Sequence, residues 1–175
     1  VASTVFLLKM LPGAIGDSLT KQYQIFNNKH TWVMSVIYTM TFGSFIGFAA
    51  AFPLAIKVIF GFQHVVVDGV MTHNTPNPNG PSALMYAWMA PFIGALIRPV
   101  GGWIADKFGG AFVTQVCSII MVVSSLGAAY YMREAYQSAT PEAFFIPFFV
   151  LFLILFAATG IGNGSTFRTI AMVFP

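Results

Sequence analysis

The sequence has very little charge: 8 Lys and Arg and 5 Asp and Glu in 175 residues, or 7% of the chain. Soluble domains carry about 25%. So few charges cannot cover the surface of a water-soluble fold of this size, which excludes a soluble enzyme domain and a disordered tail. Cysteine is almost absent. Cys117 stands alone, which excludes an internal disulfide, a disulfide scaffold and a Cys-rich metal site. In its apolar stretch it reads as a small hydrophobe. The basic residues are scattered singly, so the net charge of +3 is no nucleic-acid footprint. There is no initiating Met and no signal peptide, and the chain stops at Phe174-Pro175 directly after an apolar segment. A fragment is therefore expected.

What is present is apolar. Hydrophobic residues make up 57% of the chain, aromatics 16% with 19 Phe, and the mean hydropathy is +0.79. The expectation is an all-α, multi-pass integral membrane protein in a lipid bilayer. Uncharged runs of about 20 residues cross about 30 Å of hydrocarbon. Four such runs fall at about 31–56, 82–105, 110–131 and 143–167. Each should be helical, because backbone groups in lipid must be satisfied internally. Residues 1–30 carry Lys9, Asp17, Lys21 and Lys29 and read as a connector. Residues 58–81 read as an outer loop with His64, Asp68, His73 and a turn-rich 74–81. Asp106 to Gly109 reads as a tight turn, and Arg133 to Glu142 as a short polar loop. Lys9, Lys21, Lys29, Lys107 and Arg168 collect on one side, against Lys57 and Arg133 on the other. The positive-inside rule then puts both ends of the fragment in the cytoplasm.

One charge interrupts the apolar runs. Arg98 lies inside the second, in IGALIRPVGGW. A charge at the centre of a membrane helix costs about 3 kcal/mol on insertion scales, and Arg does not escape by losing its proton. Two readings stand. Either Arg98 snorkels or makes a structural ion pair towards Asp106, about 12 Å of helix rise away, or it forms a buried anion site. No acidic residue lies in the four runs to neutralise it, which suits a negatively charged substrate. Pro99 should kink this helix. Gly101 and Gly102 let it bend and let a neighbour approach.

Tyr38, Phe42 and Phe45 share one face of the first run. A phenol hydroxyl away from water needs a partner, so Tyr38 is the more informative of the three. Gly43, Gly47 and Ala51 form a small-residue stripe for contact with another helix. In the fourth run Gly160, Gly162 and Gly164 alternate, although each costs about 1 kcal/mol relative to Ala in a helix. They read as packing or bending positions. Asn163 and Phe167 fall four apart and share a face. No preceding strand makes this a dinucleotide fingerprint. Arg168 reads as an interfacial anchor. The serines have no His–acid pair nearby, and His64 and His73, nine apart in a loop, have no metal-ligand spacing. Neither an enzyme nor a cofactor or metal is expected.

Three stretches carry a resemblance: TFGSFIGFAAAFPLAIK (41–57), MAPFIGALIRPVGGWIADKFGG (89–110) and GIGNGSTFRTIAMVFP (160–175). They resemble the NarK-type nitrate/nitrite porters of the major facilitator superfamily, and GWIADKFGG is similar to that superfamily's GxxxD(R/K)xG loop. The resemblance implies helices seven to ten of a twelve-helix transporter, with 1–30 the cytoplasmic connector between halves and the amino-terminal half outside the chain. It implies a midplane anion site in which Arg98, through FIGALIR, holds nitrate or nitrite. Tyr38 and Phe42 would line it through YxxxFGSF, and Phe167 through GSTF. Asp106 would act in conformational switching. The long outer loop departs from the pattern.

The implied function is nitrate and/or nitrite transport by alternating access, as nitrate/nitrite exchange or proton cotransport, in a bacterial cytoplasmic (inner) membrane. Two alternatives are a major facilitator transporter of another small anion and a non-transporting membrane sensor or scaffold.

Overall fold

The computed structural model describes residues 24–173. The connector expected over 1–30 falls mostly outside them. The described residues divide into two units, with the boundary between Val36 and Ile37. In the first, a 3-10 turn at Gln24–Asn27 precedes the start of helix α1, Lys29–Ala55, most of which belongs to the second. Asn28 caps α1: its Oδ1 accepts from the His30 N–H at 3.0 Å. The Trp32 indole donates to the Phe26 carbonyl at 3.0 Å.

Four helical stretches among the described residues are long and apolar enough to cross a membrane: Lys29–Phe60, Ala83–Phe108, Gly110–Gln137 and Pro141–Met172. The first is α1 continued by a π-helical turn, Ile56–Phe60. The second is broken into α2 (Ala83–Tyr86), α3 (Met89–Leu96) and α4 (Arg98–Phe108). The third is α5, Gly110–Gln137, and the fourth is a 3-10 turn, Pro141–Phe144, leading into α6, Phe145–Val173.

Proline explains the breaks. Pro99 has no N–H for the carbonyl of Ala95, and its ring crowds the preceding turn. The helix accordingly ends at Leu96 and restarts at Arg98 through a turn at Ile97, with Pro99 in the first turn of α4. Pro91, the third residue of α3, also lies in a first turn. Between α4 and α5 a single residue, Gly109, makes the reversal at φ +85°, which a side chain would strain.

Between the first two spans the chain is not irregular. Phe62–Val67 (β1) and Val70–Pro76 (β2) form an antiparallel hairpin with a bulge between Gln63 and Val65. Its tip is Asp68-Gly69, both at positive φ, the pair that two-residue hairpins favour. Arg133 to Glu142 also differs from a polar loop: α5 runs on through Arg133 and Glu134 to Gln137. No proline or glycine stops it there, and polar side chains at a helix end reach the interface.

Helix α6 is central. Its aromatic face meets α1 in antiparallel order: Phe156 against Phe45 at 5.4 Å, Phe152 against Phe48 at 6.2 Å, and Phe148 against Phe52 at 6.1 Å between ring centroids. Phe52, Phe60, Phe148, Phe156, Ile56 and Leu155 are fully buried. Lipid tails are as apolar as these side chains, so burial alone does not drive helix association. Ring geometry adds about 0.5–1.5 kcal/mol per aromatic pair beyond area, which makes the ladder the specific glue. Helix α5 meets α6 through hydroxyls: Thr114 Oγ1 and Ser165 Oγ lie 3.2 Å apart, and Ser165 donates to the Gly110 carbonyl at 2.8 Å.

Candidate functional site

The site grows from close backbone contact between α3–α4 and α6, which run parallel. A Cβ on Gly160 would strike the Gly94 carbonyl, one on Gly101 the Ile161 carbonyl, and one on Gly164 the Arg98 carbonyl. The alternating glycines let two helix backbones touch, the arrangement small residues allow in membranes. Gly162 faces the other way, towards Thr41 and Cys117, where a Cβ would make a 3.4 Å contact with each. Gly102 is looser, its added Cβ 3.9 Å from the Gly164 carbonyl.

This contact fixes the height of Arg98. Its guanidinium lies over Phe45, with Cζ 4.6 Å from the ring centroid, and over Phe42 at 5.4 Å. Phe42 stacks on Tyr38 at 5.4 Å, and Tyr38 meets Phe167 edge-on at 5.1 Å. The structure therefore brings Arg98, Phe42, Tyr38 and Phe167 into one chain of contacts from three helices. Sequence reasoning placed Phe45 on the aromatic face but not in the site, yet it is the ring nearest the cation. The i+7 spacing from Tyr38 was the signal for it.

The electrostatics are unbalanced. Arg98 Nε is buried and has no hydrogen-bond partner, and both amide atoms of Asn163 share that condition. Asn163 is 1% exposed. Each unsatisfied buried polar atom costs about 1–3 kcal/mol, while a cation–π contact returns about 0.5–2 kcal/mol. The rings offset only part of the cost. Among the described residues no carboxylate pairs with Arg98. The candidate partner Asp106 instead binds Arg168 at the end of α6. Arg168 is thus one half of an ion pair that ties the end of α4 to the end of α6.

Other candidates lie elsewhere. Gly43 and Gly47 meet no neighbouring helix among the described residues: an added Cβ at Gly47 finds nothing within 4 Å, and one at Gly43 only Thr39 of its own helix. α1 docks through its phenylalanine face, which turns the small stripe away. Pro99 is exposed. His64 and His73, expected in a flexible loop, are hydrogen-bonded to each other through their Nδ1 atoms, and His73 stacks on Tyr136 at 4.2 Å. Among the described residues no group of three or more His, Cys, Asp or Glu is arranged for a metal.

No protein-family model matches the chain. It is similar to three curated transport proteins. The "Probable nitrate/nitrite antiporter NarK2" of Thermus thermophilus is 39% identical over 162 residues, which is 92% of this chain and 32% of the relative. The "Nitrate/nitrite transporter NarU" of Escherichia coli (strain K12) is 38% identical, over 90% of this chain and 29% of the relative. The "Nitrite extrusion protein" of Bacillus subtilis (strain 168) is 24% identical, over 86% of this chain and 31% of the relative. The chain thus spans about a third of the length of the curated relatives it matches.

Proposed function

The chain belongs to the NarK-type nitrate/nitrite transporter family of the major facilitator superfamily, and from that premise we propose that it supplies the Arg98 side of a nitrate- and nitrite-carrying site. The observation that carries this is the guanidinium of a half-buried Arg98 stacked on two rings, with a buried, unpaired Nε and no carboxylate partner among the described residues. A site built this way lacks one thing, a negative charge.

Nitrate is planar, carries one negative charge and stays ionised at physiological pH. A guanidinium offers it two parallel N–H donors in one plane, where an ammonium offers a point charge. Phe42 and Phe45 hold the guanidinium and exclude water, which strengthens its attraction for an anion. Tyr38 brings a hydroxyl donor, and Phe167 closes the far side of Tyr38.

The rest of the site comes from the other half of a twelve-helix transporter, and transport proceeds by rocking of the two halves about a midplane anion. The four spans correspond to helices seven to ten, with both ends of the chain on the cytoplasmic side of a bacterial inner membrane. The described carboxylates sit in the hairpin and at helix ends, as Asp68, Asp106, Glu134 and Glu142. None is at mid-span to relay a proton, which favours nitrate/nitrite exchange over proton cotransport. Asp106 acts in switching, through its pairing with Arg168.

The test is nitrate uptake into proteoliposomes holding the complete transporter, with and without internal nitrite, for wild type and Arg98→Lys. Uptake that needs internal nitrite and falls at least tenfold with Lys supports exchange at a guanidinium site. Uptake driven by a proton gradient alone supports cotransport. Normal uptake by Arg98→Lys removes Arg98 from the site.

A further inference from the structure

Asn163 has an address in the fold that its sequence position does not reveal. On α6 it lies one turn before Phe167 and two turns after Phe156. Phe156 meets Phe45 and Phe167 meets Tyr38, so this face of α6 looks at α1. The next residue, Gly164, touches the Arg98 backbone. Asn163 therefore lies in the same layer as Arg98.

The polar groups around it are already satisfied. Thr41 donates to the Ile37 carbonyl at 3.1 Å, Thr159 to the Phe156 carbonyl at 2.8 Å, and Thr166 to the Gly162 carbonyl at 2.8 Å. The buried atoms without partners among the described residues are Arg98 Nε, Asn163 Nδ2 and Asn163 Oδ1. One cation donor, one neutral donor and one neutral acceptor are thus left over in a single layer. A carboxamide that only filled space would be expected to be paired, or replaced by an apolar side chain.

We propose that Asn163 is a specificity-determining residue, setting the preference of the Arg98 site for nitrate over nitrite. This rests on the anion-transport reading above. In this structure the two are unpaired; with the anion bound, Asn163 Oδ1 turns to accept from the Arg98 Nε–H, which leaves the two Nη groups to grip two oxygens of the anion. Nitrate then has a third oxygen, and the Asn163 Nδ2–H donates to it. Nitrite has no third oxygen and leaves that donor unused. All three orphan atoms find partners with nitrate, and two of them with nitrite.

The experiment measures KM for nitrate and for nitrite in proteoliposomes of the complete transporter, wild type against Asn163→Leu, with the thermal stability of both proteins in detergent. The expected result is a nitrate KM raised about tenfold, the worth of one good hydrogen bond. The nitrite KM changes less than about twofold on the same scale, and the melting temperature does not fall, because an apolar side chain replaces unpaired polar atoms. Equal shifts for both ions, or no shift in either, overturn the proposal and leave the transport reading standing. Wild type that carries neither ion overturns both. Should Asn163→Leu not fold, Asn163→Ala is judged by the same criteria, and failure of both to fold makes Asn163 a scaffold residue and overturns the proposal.

Discussion

Arg98 and Gly164 meet backbone to backbone: a Cβ on Gly164 would land on the Arg98 carbonyl oxygen. The position of Arg98 is set by a missing side chain on the neighbouring helix. Gly164→Ala should therefore push α4 from α6 at the height of the site and cost about 1–3 kcal/mol as overpacking. Gly102→Ala, with 3.9 Å of room, should be close to neutral. Thermal denaturation of the two variants of the complete transporter gives the comparison, and equal melting temperatures would mean the helices can part without cost.

The two rings under Arg98 are not equivalent. Phe45 is nearer the guanidinium than Phe42, at 4.6 against 5.4 Å. Phe45→Leu keeps most of the apolar volume and removes a cation–π contact of about 0.5–2 kcal/mol. A severalfold rise in nitrate KM is expected, larger than for Phe42→Leu. The reverse order would mean that Phe42 touches the anion directly.

The Asp106–Arg168 pair is half exposed, with side-chain accessibilities of 43% and 51%. Exposed pairs contribute about 0–1 kcal/mol, so Asp106→Asn should hardly move the melting temperature. If the pair holds α4 to α6 in one state of the transport cycle, the same variant should lower the transport rate, and exchanging the two charges as Asp106→Arg with Arg168→Asp should recover part of it. A large loss of stability with an unchanged rate would make the pair structural.

The hairpin hangs on one imidazole. His64 is 1% exposed, and its Nε2–H donates to the Ile59 carbonyl at 2.8 Å. A carbonyl can only accept, so the neutral ring presents Nδ1 as an acceptor, and His73 Nδ1–H donates to it. His64→Phe leaves the Ile59 carbonyl and the His73 donor unpaired, at about 1–3 kcal/mol. Faster amide exchange over 62–76 is expected, with the four spans unaffected. Unchanged exchange would show that the strands hold the hairpin without the ring pair.

Much of the fold was legible in the chain because a bilayer leaves few options. Scarce charge and four apolar runs permit only helices that satisfy their own backbones, and Pro99 marks the break next to Arg98. The hairpin was missed, since 58–81 read as a loop: its signal, Asp68-Gly69 after Val65-Val66-Val67, is short and sits between louder ones. Arg98 stood out because an isolated charge in an apolar run is costly wherever the helix packs. The composition of the layer around it was decided by tertiary structure. Which face of α1 docks depends on phenylalanines 45, 48 and 52 finding those of α6 across more than 90 residues of chain, and that pairing turned Gly43 and Gly47 outward. The role of each glycine likewise depended on what lies across the gap. Local sequence specifies helices through their own hydrogen bonds. Which side chains share a level, as Arg98 and Asn163 do, is settled only when separate helices choose their register against one another.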